Sequence, residues 1–152
     1  LWDKVRVEGG AYGGGSSFDP FTGAFTFSSY RDPNLLGTLD VYDHASQFLR
    51  RELSENDLTR SIIGVIGAVD AYQLPDAKGF TAMVRYLSNV SDADRQRRRD
   101  EILHARDDDF RVLADALAWV AKEGRVVVLG GEAAIREANV ERGNFLNVQR
   151  VL

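Results

Sequence analysis

The sequence predicts an α+β fold, an antiparallel-rich sheet with several helices packed on one face. Three observations predict it. An early stretch alternates apolar and polar residues beside turn residues, the middle of the chain runs in helical spacing from one capping signal to the next, and a short β-branched run lies near the end.

Leu1 to Val7, "LWDKVRV", is too short for periodicity to choose between the last turns of a helix and a short strand. Next, Tyr12 stands among five glycines in "GGAYGGGSS". "FTFSSYR" then sets Phe25, Phe27 and Ser29 against Thr26, Ser28 and Tyr30, the period of a half-buried strand. The "DPFTG" before it is turn chemistry: Pro fixes φ and Gly allows φ > 0. "AYGGGSSF" and "AFTFSSY" therefore read as a hairpin, and the glycines as backbone that another group can approach closely.

Helical signals follow. Asp32 and Pro33 read as cap and first turn of a helix through "NLLGTLDVYDHASQFLRREL", with Leu35, Leu36, Leu39, Tyr42 and Leu49 near helical spacing. Ser54 with Asp57 loosely resembles a capping box before "LTRSIIGVIGAVDAY". Pro75 starts or breaks the next segment, "DAKGFTAMVRYLSNV". Ser91 caps "DADRQRRRDEILHA", and "DDFRVLADALAWVAKEG" is a strongly amphipathic helix ending at Gly124. "RVVVLGG" reads as a short buried strand and "EAAIREAN" as a short helix; "GNFLNVQRVL" carries apolar residues enough to dock back.

Length and composition bound the function. A chain of 152 residues is one domain long, and 44% hydrophobic with 28% charged residues is the composition of a globular protein. The formal charge of −4 gives no support to a nucleic-acid partner. The absence of cysteine excludes a disulfide framework and any thiolate chemistry. Apolar runs such as "SIIGVIGAV" are too short for membrane insertion, and no signal or transit segment is visible. The chain opens at Leu1 rather than Met in sequence that already reads as structured, so a piece of something longer is expected.

Little stand-alone chemistry is written here. The two histidines, His44 and His104, lie far apart and in neither H-E-x-x-H nor H-x-x-E-H, and read as surface residues. No G-x-S-x-G elbow exists, and "GGAYGGGSS" lacks the G-K-[ST] ending of a phosphate loop. "RQRRR" sits among Asp92, Asp94, Asp100 and Glu101, so it reads as a solvated network of helical ion pairs. Asp107 to Asp109 suit the start of the following helix. Arg6 and Tyr12 remain. Arg supplies fixed charged donors and Tyr a neutral rigid one, so aimed at a peptide carbonyl the two would stabilise an oxyanion. The plainer alternative puts Arg6 in a surface ion pair and Tyr12 in the core.

The segments "LWDKVRVEGGAYGG", "FDPFTGAFTFSSYRDPNLLGTLDVYD", "DAYQLPDAKGFT" and "ERGNFLNVQRVL" resemble the presequence protease branch of the pitrilysin/insulinase-like zinc metallopeptidases, over essentially the whole chain. The resemblance implies a four-domain clamshell of two halves, with residues 1–152 most of its last domain. The N-terminal half of such an enzyme carries H-x-x-E-H and a distal Glu around a zinc that activates water. The C-terminal half supplies an Arg and a Tyr near the scissile carbonyl, which fall on Arg6 and Tyr12. Gly9, Gly10, Ala11 and Gly13 then line the path of the peptide. The implied partners are a peptide substrate and the N-terminal catalytic half, and the implied compartments are the chloroplast stroma and mitochondrial matrix. The parent would degrade cleaved targeting sequences, while this chain alone, without a zinc site, is expected to be inactive. "GGGSS" departs from the family pattern, in which a bulkier residue is expected. A non-catalytic peptide-binding or structural subunit derived from that family is the alternative.

Overall fold

Residues 1–51 and 54–151 are described by a computed structural model. The sequence alternation becomes a hairpin, β1 (Gly13–Asp19) and β2 (Ala24–Tyr30), paired antiparallel from Gly13 opposite Tyr30 to Asp19 opposite Ala24. The turn is closed by Asp19: its carboxylate accepts the Phe21 N–H at 2.9 Å and the Thr22 hydroxyl at 2.8 Å. These two donors, the Phe21 amide first, hold the Asp19 carboxyl below its ordinary range. Gly23 takes φ +73° there, which an L side chain would resist.

Seven helices are described: α1 (Leu35–Asp43), α2 (Ala45–Leu49), α3 (Glu55–Val69), α4 (Pro75–Leu87), α5 (Asp92–Leu103), α6 (Asp107–Glu123) and α7 (Glu132–Glu141). With the antiparallel hairpin they make the α+β architecture that the sequence predicts. The chain divides into two compact units. One comprises Leu1–Arg50 and the residues from Leu113 onward, the other Arg51–Val112.

In the first unit α1 lies against the hairpin. The Tyr42 ring stacks on Phe27 with centroids 4.8 Å apart and planes 6° from parallel, and Phe27 meets Phe25 edge-on at 4.9 Å. The buried apolar residues among those described are few and mostly small: Val5, Ala11, Ala114, Leu117 and Ala138. Polar clamps supplement them. Arg142 at the end of α7 pairs with Asp40 of α1, and buried Asn139 grips Leu146 through both its amide N–H (2.8 Å) and its amide oxygen (2.9 Å). That clamp ties down, at Leu146, the tail expected to fold back, while residues 147–151 are exposed; Leu152 lies outside the described residues.

In the second unit α3 and α5 pack together, and Arg99 of α5 pairs with Asp70 at the end of α3. Ser54 caps α3 by accepting the Asp57 N–H at 3.1 Å. Ser91 and Asp94 form a complete capping box on α5: each backbone N–H donates to the other's side chain at 3.1 Å. The Ser91 hydroxyl, its amide and then Arg97 pull the Asp94 carboxyl down to about 2. The "RQRRR" stretch forms the expected surface network, Arg95 with Asp92 at 2.7 Å and Arg97 with Asp94 at 2.6 Å.

Three expectations are corrected and one open choice is decided. "RVVVLGG" is not a buried strand: its backbone joins no ladder among the described residues, and Val127 and Leu129 are 92% and 86% exposed. β-branched content makes a segment fit a strand, but a strand also needs an edge to pair with. Trp2–Glu8, which the sequence leaves open between helix and strand, is helical, a π-helical segment. The cap of α1 is Asn34 rather than Asp32, whose carboxylate instead accepts the Asn34 N–H at 2.9 Å. The long helix expected after it is broken at His44 into α1 and α2; its expected end at Glu52 and Leu53 lies outside the described residues.

Candidate functional site

Arg6 and Tyr12 sit at either side of a tight crossing between the π-helical segment and the hairpin. Wide winding in Trp2–Glu8 sends the Gly9 N–H to the Lys4 carbonyl at 3.0 Å and the Ala11 N–H to Val5 at 3.2 Å. Gly9 is required there, because a Cβ would lie 2.6 Å from the Val5 carbonyl oxygen. Val5, 1% exposed, then lies on the backbone of β1 at Gly14, where a Cβ would meet Val5 Cγ1 at 2.7 Å. Two of the five glycines, Gly9 and Gly14, thus serve close approaches within the chain itself. Around Gly13, by contrast, nothing lies within 4 Å of where a Cβ would stand.

The segment is tied down at two further points. The Asn34 side-chain amide donates to the Gly9 carbonyl oxygen at 2.5 Å. The Tyr12 N–H donates to the Arg31 carbonyl at 3.3 Å, one position beyond the Gly13–Tyr30 pair of the ladder. Ala11 between them is buried and anchors the loop; Gly10 is exposed.

The two candidate side chains point outward. Tyr12 is 66% exposed, and its hydroxyl makes no hydrogen bond to the described residues. Its ring meets Tyr30 edge-on at 6.1 Å and Arg31 at 5.9 Å. The Arg6 guanidinium lies 4.1 Å from the Trp2 ring centre, a cation–π pair one turn apart, and joins no carboxylate among the described residues. The plainer alternative, Arg6 in an ion pair and Tyr12 in the core, is therefore not what the structure holds. No hydrogen bond links Arg6 to Tyr12 themselves among the described residues. What the arrangement presents is a charged donor stacked on Trp2 and a neutral donor, neither in a hydrogen bond or ion pair among the described residues.

Trp2, Tyr30, Arg31 and Asn34 escaped the sequence reading. Helical spacing would have suggested Trp2 beside Arg6; the others needed the hairpin register and the path of the turn after β2.

Behind this surface two buried polar atoms, Asp32 Oδ2 and Tyr42 Oη, have no hydrogen-bond partner among the described residues. Burial pushes the Tyr42 phenol up; the Ser29 hydroxyl, close but outside bonding geometry, opposes this in part, and the Asp32 charge adds to it.

For zinc the described residues do not fit. No group of three or more His, Asp or Glu side chains among them converges as a metal site. His44 and His104 fall in different units, with Nδ1 2.6 Å and 2.7 Å from the Asp40 and Asp100 carbonyls of their own helices. No helix among the described residues is long and apolar enough to cross a membrane.

Comparison with known proteins bears on this site. The family model for the PreP C-terminal domain matches residues 1–132. The chain is 50% identical to "Presequence protease 1, chloroplastic/mitochondrial" of Arabidopsis thaliana, over 100% of this chain and 14% of that protein. It is 38% identical to Protein HypA of Clostridium perfringens, over 100% of this chain and 15% of that one. It is 33% identical to the mitochondrial presequence protease of Saccharomyces cerevisiae, over 86% of this chain and 13% of the relative. The chain spans about one seventh of the length of the curated relatives it matches.

Proposed function

The chain belongs to the PreP C-terminal domain family, and from that premise we propose that it is the C-terminal portion of a zinc metallo-endopeptidase that degrades unstructured peptides, cleaved organellar targeting sequences among them. In this reading residues 1–152 form most of the last domain of a four-domain clamshell. Arg6 and Tyr12 are the catalytic residues it contributes, binding the peptide and stabilising the scissile carbonyl as it becomes an oxyanion. Gly9, Gly10, Ala11 and Gly13 line the path of the substrate backbone. The zinc belongs to the N-terminal half, and this chain alone is inactive. The parent works in the chloroplast or mitochondrion in this reading, which the names of the plant and yeast relatives support.

One observation carries the reading: Tyr12 and Arg6 present donors with no hydrogen-bond or carboxylate partner among the described residues. A donor facing open water contributes little, so the reading also needs the opposing half to cover Tyr12 and exclude solvent. The open space around Gly13 leaves room for a peptide main chain.

Tyr12→Phe in the full-length polypeptide tests it. Loss of one oxyanion donor should lower kcat by roughly one to three orders of magnitude. Unchanged kcat and KM would remove Tyr12 from the chemistry.

A second reading, a non-catalytic peptide-binding or structural subunit, is favoured by the uncovered apolar side chains of α3 and α4. Ile63, Phe80 and Leu87 are 66%, 65% and 74% exposed, a surface suited to a partner. An H-x-x-E-H motif upstream in the same reading frame would decide against it.

A further inference from the structure

We propose that Arg31 is a positioning residue for Tyr12, holding the phenol in place from the facing strand end of the hairpin; this rests on the reading of Tyr12 given above. The ladder register puts Arg31 opposite Tyr12, and its carbonyl accepts the Tyr12 N–H at 3.3 Å. Its guanidinium carbon lies 5.9 Å from the Tyr12 ring centre and 5.4 Å from that of Tyr30, while the two rings meet edge-on at 82°. Two faces of contact therefore bear on the Tyr12 ring, one aromatic and one cationic.

The backbone at Arg31 shows that this placement is imposed. Arg31 stands at φ +47°, a left-handed conformation that a non-glycine residue adopts only where its surroundings compel it. The turn around it does so: the Asn34 N–H donates to Asp32, and the Asn34 side chain reaches back to Gly9. The same turn thereby grips the loop just before Tyr12. Arg31 has no carboxylate partner among the described residues, so its charge is spent on the two rings.

An exposed tyrosine otherwise exchanges rotamers on the picosecond-to-nanosecond scale. A donor that stabilises an oxyanion must wait where the charge will form, and a small misplacement forfeits most of its effect. Arg31 would act on turnover through Tyr12 and not through the peptide.

The test uses the full-length polypeptide with an unstructured peptide substrate. Arg31→Asn suits the left-handed backbone and removes the cation; Arg31→Lys keeps a cation. Arg31→Asn should lower kcat by about two- to fivefold with KM within about twofold, the scale of an exposed cation–π contact. Arg31→Lys should recover most of the loss, and Arg31→Asn should cost nothing further in a Tyr12→Phe background. A 3-fluorotyrosine placed at position 12 should shift its fluorine resonance in Arg31→Asn. A rise in KM at constant kcat, an equal loss in both backgrounds, or an unmoved resonance each overturns the proposal. If Tyr12→Phe alone leaves turnover unchanged, the catalytic reading falls. The hold of Arg31 on Tyr12 is then decided by the fluorine signal alone, a shift supporting it and none overturning it.

Discussion

Gly14 and Gly15 are neighbours in one strand, yet alanine should have opposite effects at the two positions. At Gly14 the new Cβ would stand 2.7 Å from Val5 Cγ1 and 3.3 Å from Val5 Cβ. Val5 is 1% exposed and β-branched, so neither a rotamer change nor an outward swing relieves the overlap. Overpacking of this kind costs about 1–3 kcal/mol, offset by about 0.4–1 kcal/mol because alanine restricts the unfolded chain. Gly14→Ala should therefore destabilise by about 1–2 kcal/mol. At Gly15 nothing lies within 4 Å, so only the unfolded-state gain applies, and Gly15→Ala should be neutral or stabilising by up to about 1 kcal/mol. Val5→Ala alone loses two buried methyl groups, about 2–3 kcal/mol with its cavity. In that background Gly14→Ala should cost nothing, giving a coupling of about 1–2 kcal/mol. Urea unfolding of the four variants, read at constant m, measures all of this. Because Val5 precedes Arg6, Gly14→Ala but not Gly15→Ala should also shift the emission of Trp2. Equal destabilisation at the two glycines, or no coupling with Val5, would refute the close-approach argument.

Asp94, held near 2, contributes stability that is complete above the ordinary carboxyl range and lost as pH falls from about 4 toward 2. Ser91→Ala removes the largest cause of that depression, so carbon-13 titration of the Asp94 carboxyl should move its midpoint upward. The lost cap should cost about 1 kcal/mol at neutral pH, read by urea unfolding. Tyr42→Phe keeps the stack on Phe27 and deletes a buried hydroxyl that has no partner among the described residues, so stability should hold or rise by up to about 1 kcal/mol. A loss beyond that in thermal unfolding would mean the hydroxyl is satisfied after all.

Local chemistry made part of this molecule legible in advance. The hairpin followed from alternation at Phe25 and Phe27 and from a turn whose Asp19, Thr22 and Gly23 close it without help from elsewhere. The caps at Ser54 and Ser91 and the pairs Arg95–Asp92 and Arg97–Asp94 within α5 were equally readable, since each partner lies three residues away; the Arg99–Asp70 pair between α5 and α3 was not. Arg6 and Tyr12 were singled out by the resemblance more than by spacing, since two donors near glycines describe many surfaces.

Features that depend on distant neighbours could not be read so. "RVVVL" has strand-forming residues, but its backbone joins no ladder among the described residues. The use of Gly14 is visible only once Val5 lies across it, and the role of Arg31 only once the register sets it opposite Tyr12. The sequence by itself determined which segments turn, cap and alternate, because those interactions are satisfied within a few residues. Only the tertiary structure decided which glycine is filled, which is open, and what stands behind the tyrosine, because those depend on side chains brought together from separate parts of the chain.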